Sequence, residues 1–146
     1  MSELLRYAGI GSRKTPMEVL DFMTRYATIM DKAGYILCSG GAQGADTAFA
    51  DGAGLMEIYR PENATPEAIA IAKEHHPNWG ACNTYTRRLH GRNAQILLGK
   101  KLDQPVKFVI CWTPGGRVTG GTGLGLRIAE TYNIPVINLG SDEFIF

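Results

Sequence analysis

The chain has 146 residues, 45% of them hydrophobic and 20% charged, with a formal net charge of +1. That length suits one domain, 1–146, large enough to bury a core without disulfide or metal staples. The charge balance excludes a protein drawn to nucleic acid by its global field, though a local basic patch remains open. No apolar run approaches the ~20 residues of a membrane span.

Leu4 to Ile10 reads as a first strand closed by the turn Gly11-Ser12-Arg13. Thr15 and Pro16 suit the cap and first position of a helix. Val19, Leu20, Phe22, Met23, Tyr26, Ala27 and Met30 recur at helical spacing up to a stop at Gly34. Tyr35 to Cys38 is a second apolar run, followed by the glycine-rich turn Ser39 to Gly44 and small helix-compatible residues from Ala45 to Ala53. Leu55 to Tyr59 reads as a third strand. Thr65-Pro66 heads a helix that Pro77-Asn78-Trp79-Gly80 breaks. A long helical pattern runs from Thr84 to Lys101, and its apolar residues fall on more than one face, which predicts a homo-oligomer. Val106 to Trp112 is a continuous apolar strand of the kind buried on both faces. A second glycine-rich loop, Gly115 to Gly123, leads into a helix from Leu124 to Tyr132. Asn133 stops that helix before a last strand, Pro135 to Leu139.

Strands alternate with helices throughout. This predicts an α/β fold: a Rossmann-like, doubly wound parallel sheet with helices on both faces. Ligands of such sheets bind beyond the carboxyl ends of the strands, and the loops at those ends carry the chemically interesting residues.

Glycines let a ligand approach the backbone, and the first turn of a helix attracts anions. The candidate phosphate-binding residues are therefore Gly11, Ser12 and Arg13; Ser39, Gly40, Gly41, Ala42 and Gly44; and Gly120, Gly121, Thr122 and Gly123. Arg88 and Arg92, four apart in a helix, share a face with basic reach, and Asn93 joins them. Asp46 can cap a helix or hold a sugar hydroxyl. Glu57 and Glu130 are the other carboxylates that can serve as catalytic groups. Aromatics read as exposed, Trp79, Tyr85 and Trp112, offer stacking surfaces for a nucleic-acid strand. His75 and His76 have no third ligand at a credible spacing, so no metal site and no cofactor is expected. The lysine of a Walker A loop is absent. Cys38 and Cys111 lie in apolar runs and read as reduced core residues, with Cys82 the reactive thiol. With Glu3 and Arg6 near the start and no apolar leader, the expected compartment is the cytoplasm.

Four blocks, Gly11-Ser12-Arg13, Ser39-Gly40-Gly41-Ala42-Gln43-Gly44-Ala45-Asp46, Arg92-Asn93, and Gly121-Thr122-Gly123 with Arg127 and Ala129 behind it, resemble in this order the DNA-processing protein A (DprA/Smf) family. They also resemble the wider SLOG group, which includes the Lonely Guy phosphoribohydrolases and the YspA/YpsA-related proteins. The resemblance implies a nucleotide or nucleic-acid phosphate site in which Ser39 to Asp46 binds phosphate through backbone N–H groups and Arg13 and Arg92 add charge. Where Lonely Guy enzymes carry a glutamate in the last loop, this chain has Arg127, and Glu130 lies a turn later. DNA-processing proteins usually carry further domains than this length holds. The leading expectation is a sensor or sequestering protein for a nucleotide-derived ligand. The alternatives are cleavage of a nucleotide N-glycosidic bond and binding of single-stranded nucleic acid.

Overall fold

A computed structural model describes residues 4–146. Five parallel strands form one sheet: β1 (Arg6–Gly9), β2 (Ile36–Ser39), β3 (Met56–Ile58), β4 (Val109–Cys111) and β5 (Val136–Asn138), in the order β3-β2-β1-β4-β5. Between them run α1 (Met17–Lys32), α2 (Ala45–Gly52), α3 (Pro66–His75), α4 (Thr84–Leu98) and α5 (Gly120–Thr131). Register is set by pairs such as Tyr7 with Leu37, Ala8 with Val109 and Ile110 with Ile137.

Side chains alternate across the sheet, and the central strands β1, β2 and β4 feed both cores. Tyr7, Leu37 and Ile110 face one way and pack with Val19, Met23 and Ala27 of α1 and Ala45, Ala48 and Phe49 of α2. Ala8, Cys38, Val109 and Cys111 face the other way, toward Ala68 and Ala72 of α3, Ala94, Ile96 and Leu97 of α4, and Leu124 and Ile128 of α5. Burial on both faces explains why the strands read as unbroken apolar runs. It also pushes the thiols of Cys38 and Cys111 up to about 12.

Most boundaries lie within a residue or two of the expected ones. Helix α1 ends as expected: Gly34 takes φ +89°, its N–H reaches Asp31 O at 3.0 Å, and Tyr35 N–H reaches Met30 O at 2.9 Å. Pro16 rather than Thr15 occupies the cap of α1, and the Thr15 hydroxyl bonds back to Ser12 O. Thr65 does cap α3, accepting from Ala68 N–H at 3.2 Å. Two expectations need correcting. Helix α4 stops at Leu98 rather than Lys101, because Gly99 at φ +89° turns the chain away. Helix α5 starts at Gly120, four residues before the expected Leu124: Gly120 turns the chain in at φ +67°, and Gly123 N–H reaches Thr119 O at 2.9 Å.

The apolar residues on several faces of α4 are used within the chain. From His90 to Leu98 nearly every residue is buried, against α3, α5 and the sheet. Among the described residues no helix is long and apolar enough to cross a membrane.

Candidate functional site

The strand order reverses direction between β1 and β4, whose connections leave to opposite sides. There the two carboxyl ends part and leave a crevice. A cavity of about 370 Å³ occupies it, lined from the loop after β1 by Ile10 to Lys14, from α2 by Asp46, from α4 by Arg92 and Asn93, and from α5 by Gly121 and Thr122. A second recess of about 350 Å³ adjoins it, sharing Ser12, Lys14, Gly121 and Thr122 and adding Arg117 and Gly120.

Ser12 shapes the floor. Its N–H donates to Trp112 O at 3.1 Å, tying the β1 and β4 ends together, and its hydroxyl accepts Lys14 N–H at 3.0 Å. The turn leaves Arg13 and Lys14 exposed at the rim. Opposite them, α5 opens with Gly120, Gly121 and Thr122, whose N–H groups precede the first intrahelical bond. No atom lies within 4 Å of the position a Cβ would take on Gly121. An anion there would meet a helix N-terminus and two cationic side chains.

The loop Ser39 to Gly44 is arranged otherwise than the resemblance implies. Ser39 is fully buried and donates to Gly9 O at 2.7 Å. Gly40 packs under Arg92, and Gly41 faces Ile58 and Arg60. Gly44 and Gly11 permit close packing between the two loops, with Gly44 against the Arg13 backbone and Gly11 against Ala45. Of this loop only Ala42 reaches the cavity. The start of α2 already holds an anion of its own: Asp46 Oδ2 accepts Ala42 N–H at 3.1 Å.

Asp46 is 7% exposed, and burial raises its pKa to about 6, against the opposing pull of the Ala42 N–H and the Arg92 charge. Arg92 is 8% exposed and donates from Nη1 to Gly40 O at 2.8 Å and Tyr59 O at 3.3 Å. It therefore latches α4 to the ends of β2 and β3 while its edge lines the cavity. Asn93 lines the same wall.

Other candidates lie elsewhere. Glu57 is paired with Arg6 at 2.9 Å and accepts the Tyr59 hydroxyl at 2.8 Å, outside the cavity. Glu130 is exposed on α5, Arg88 is exposed on α4, and Gly123 is buried against Val118. Of the aromatics expected to be exposed, only Tyr85 is. Trp112 packs against the α1–α2 core, and Trp79 lies between Arg87 and the rings of His76 and His90.

Two arrangements escaped the sequence reading. Asn138 Nδ2 donates to Thr113 Oγ1 at 2.8 Å, and Asn138 Oδ1 accepts Thr113 N–H at 3.2 Å, which fixes the β4 and β5 ends. The other brings His76, Cys82 and His90 together at the turn between α3 and α4. Their sequence separations match no familiar ligand spacing; only the antiparallel return of α4 along α3 assembles them.

Against known proteins, the chain matches no family model, no curated protein and no solved structure.

Proposed function

We propose that the crevice between β1 and β4 binds a small phosphorylated ligand of the nucleotide class, and that the protein acts as a sensor or sequestering protein for it. One observation carries this reading: three segments distant in sequence, Ser12 to Lys14, Arg92-Asn93 and Gly121-Thr122, converge on one cavity at the switch point of the sheet. The mouth offers donors and positive charge, and the apolar inner wall of Ile10, Leu89, Ile96 and Leu97 suits a base or another flat, weakly polar group. The four-block resemblance to the SLOG group supports the same ligand class. In this reading the phosphate sits at the start of α5 beside Arg13 and Lys14, rather than at the start of α2.

Calorimetric titration with a nucleoside 5′-monophosphate and its parent nucleoside tests the proposal. The monophosphate should bind at least tenfold tighter, through charge-assisted hydrogen bonds. Equal affinities would overturn it.

A second reading, hydrolysis of a base–ribose bond, draws on Asp46. Among the described residues it is the one carboxylate lining the cavity, and a group titrating near 6 can exchange a proton at neutral pH. Release of free base from a nucleoside monophosphate, abolished in Asp46→Asn, would favour it. Intact ligand after prolonged incubation favours binding alone.

A further inference from the structure

Away from the crevice, three side chains with metal-ligating atoms meet. His76 directly follows α3, Cys82 follows the short helical turn Trp79–Ala81, and His90 lies on α4. One ligand atom from each falls within 4.8 Å of the other two. Cys82 Sγ and His76 Nε2 are 3.6 Å apart, and the His76 and His90 ring centroids are 4.7 Å apart. His90 is 8% exposed, and its Nδ1 is buried without a hydrogen-bond partner. A native fold rarely leaves such an atom unmet.

We propose that His76, Cys82 and His90 form a mononuclear site for a borderline-soft divalent cation, with Zn²⁺ the best match. The donor set decides the class. One thiolate and two imidazoles, with no carboxylate among them, disfavour Mg²⁺ and Ca²⁺ and suit Zn²⁺. The spacing agrees. Nitrogen and sulfur bound at ~2.1 and ~2.3 Å on a tetrahedral ion stand about 3.6 Å apart, the separation found between His76 Nε2 and Cys82 Sγ. His76 and Cys82 are half-buried, which leaves a path for the ion and a fourth position for water.

One local contact has to change on loading. Asn78 N–H donates to His76 Nδ1 at 3.0 Å, which places the ring proton on Nε2, facing the sulfur. Coordination through Nε2 moves that proton to Nδ1 and turns the ring off the Asn78 N–H, while the Cys82 thiol gives up its proton to solvent. The bound ion then pins the turn after α3 to α4, two residues ahead of Arg92.

The test uses the full chain, stripped with a chelator and titrated with Co²⁺, whose spectrum reports coordination. The expected result is one equivalent bound, with strong visible bands of a tetrahedral site and a thiolate charge-transfer band in the near ultraviolet, all displaced by Zn²⁺. Cys82→Ser should lose the charge-transfer band, and both Cys82→Ser and His90→Gln should weaken Zn²⁺ binding at least tenfold in competition with a chromophoric chelator. If His90→Gln fails to fold, Cys82→Ser at its half-buried position carries the test, together with wild-type alkylation: Zn²⁺ should protect Cys82 from iodoacetamide. Absence of stoichiometric Co²⁺ or Zn²⁺ uptake, wild-type affinity in Cys82→Ser, or unprotected alkylation would overturn the site.

Discussion

Arg92 and Gly40, 52 positions apart, are joined by a buried hydrogen bond of 2.8 Å from the guanidinium to the carbonyl. A Cβ on Gly40 would lie 2.5 Å from Arg92 Nη1 and 3.1 Å from Asp46 Oδ2. The glycine is therefore the spacer between the two buried charges of the crevice. Truncating Arg92 strips Gly40 O and Tyr59 O of a charged donor. Arg92→Ala should cost about 2–3 kcal/mol of stability as well as ligand affinity. Urea unfolding checks this; a variant that loses only affinity would show that water replaces the guanidinium.

Gly121 separates binding from folding. Its φ is not left-handed, and open space surrounds the position of a Cβ. Gly121→Leu should keep or slightly raise the melting temperature, since leucine is the better helix former by up to about 1 kcal/mol. The side chain would fill the proposed phosphate position, and affinity for a nucleoside monophosphate should fall at least tenfold. Gly41→Val is the contrasting variant. Its Cβ would sit 3.2 Å from Ile58 Cγ2 at φ +72°, so it should strain the turn outside the crevice.

Asp46 gives stability an unusual pH dependence. Its pKa rises from 3.8 to about 6 on folding, so between those values the native state holds more proton than the unfolded chain. This contribution is favourable at low pH and is lost as pH rises from about 4 to 6, by about 2–3 kcal/mol in all. His90, lowered to about 4 chiefly by burial, has the opposite slope in an overlapping window. It is common to wild type and Asp46→Asn, so their difference isolates Asp46. With chelator present, the difference in unfolding free energy should favour Asp46→Asn at pH 7 and fade toward pH 4. A constant difference would mean that Asp46 is ionised as readily in the native protein as in the unfolded chain.

A fourth expectation concerns the α1–α2 seam. Thr24 and Thr28 donate to the carbonyls of Ala48 and Gly52 at 2.8 and 3.0 Å, drawing the two helices together. A Cβ on Gly52 would meet Thr24 O at 2.0 Å, a backbone atom that cannot swing aside. Gly52→Ala should therefore destabilise by about 1–3 kcal/mol despite the better helix propensity of alanine. Equal or higher stability on thermal unfolding would contradict this packing.

The fold was legible because its signals are local. Alternating apolar runs and helical periods, Gly34 after α1 and Thr65 before α3 each act within a few residues. The site was legible only in part. Glycines mark tight geometry, but the chain cannot say whether a ligand or another loop fills the space. Gly11, Gly40 and Gly44 turned out to admit protein, and Gly121 to face open space. Arg92 was expected at the ligand, but its buried bonds to Gly40 O and Tyr59 O were not legible, because those carbonyls lie just beyond β2 and β3, far away in sequence. The meeting of His76, Cys82 and His90 depends on how α3 and α4 pack, which no spacing rule encodes.

The pairing of Ala8 with Val109 joins segments about a hundred residues apart. As the chain leaves the ribosome, β1, β2 and β3 can assemble with α1 and α2 while β1 keeps one edge bare. The crevice lacks its α5 wall until β4 and α5 emerge. A truncated chain ending before Val109 thus exposes an unpaired central strand and lacks the α5 side of the crevice, Gly121 and Thr122. The proposed ligand, present during synthesis, can stabilise only chains that are nearly finished, so it should raise the yield of complete protein without rescuing fragments.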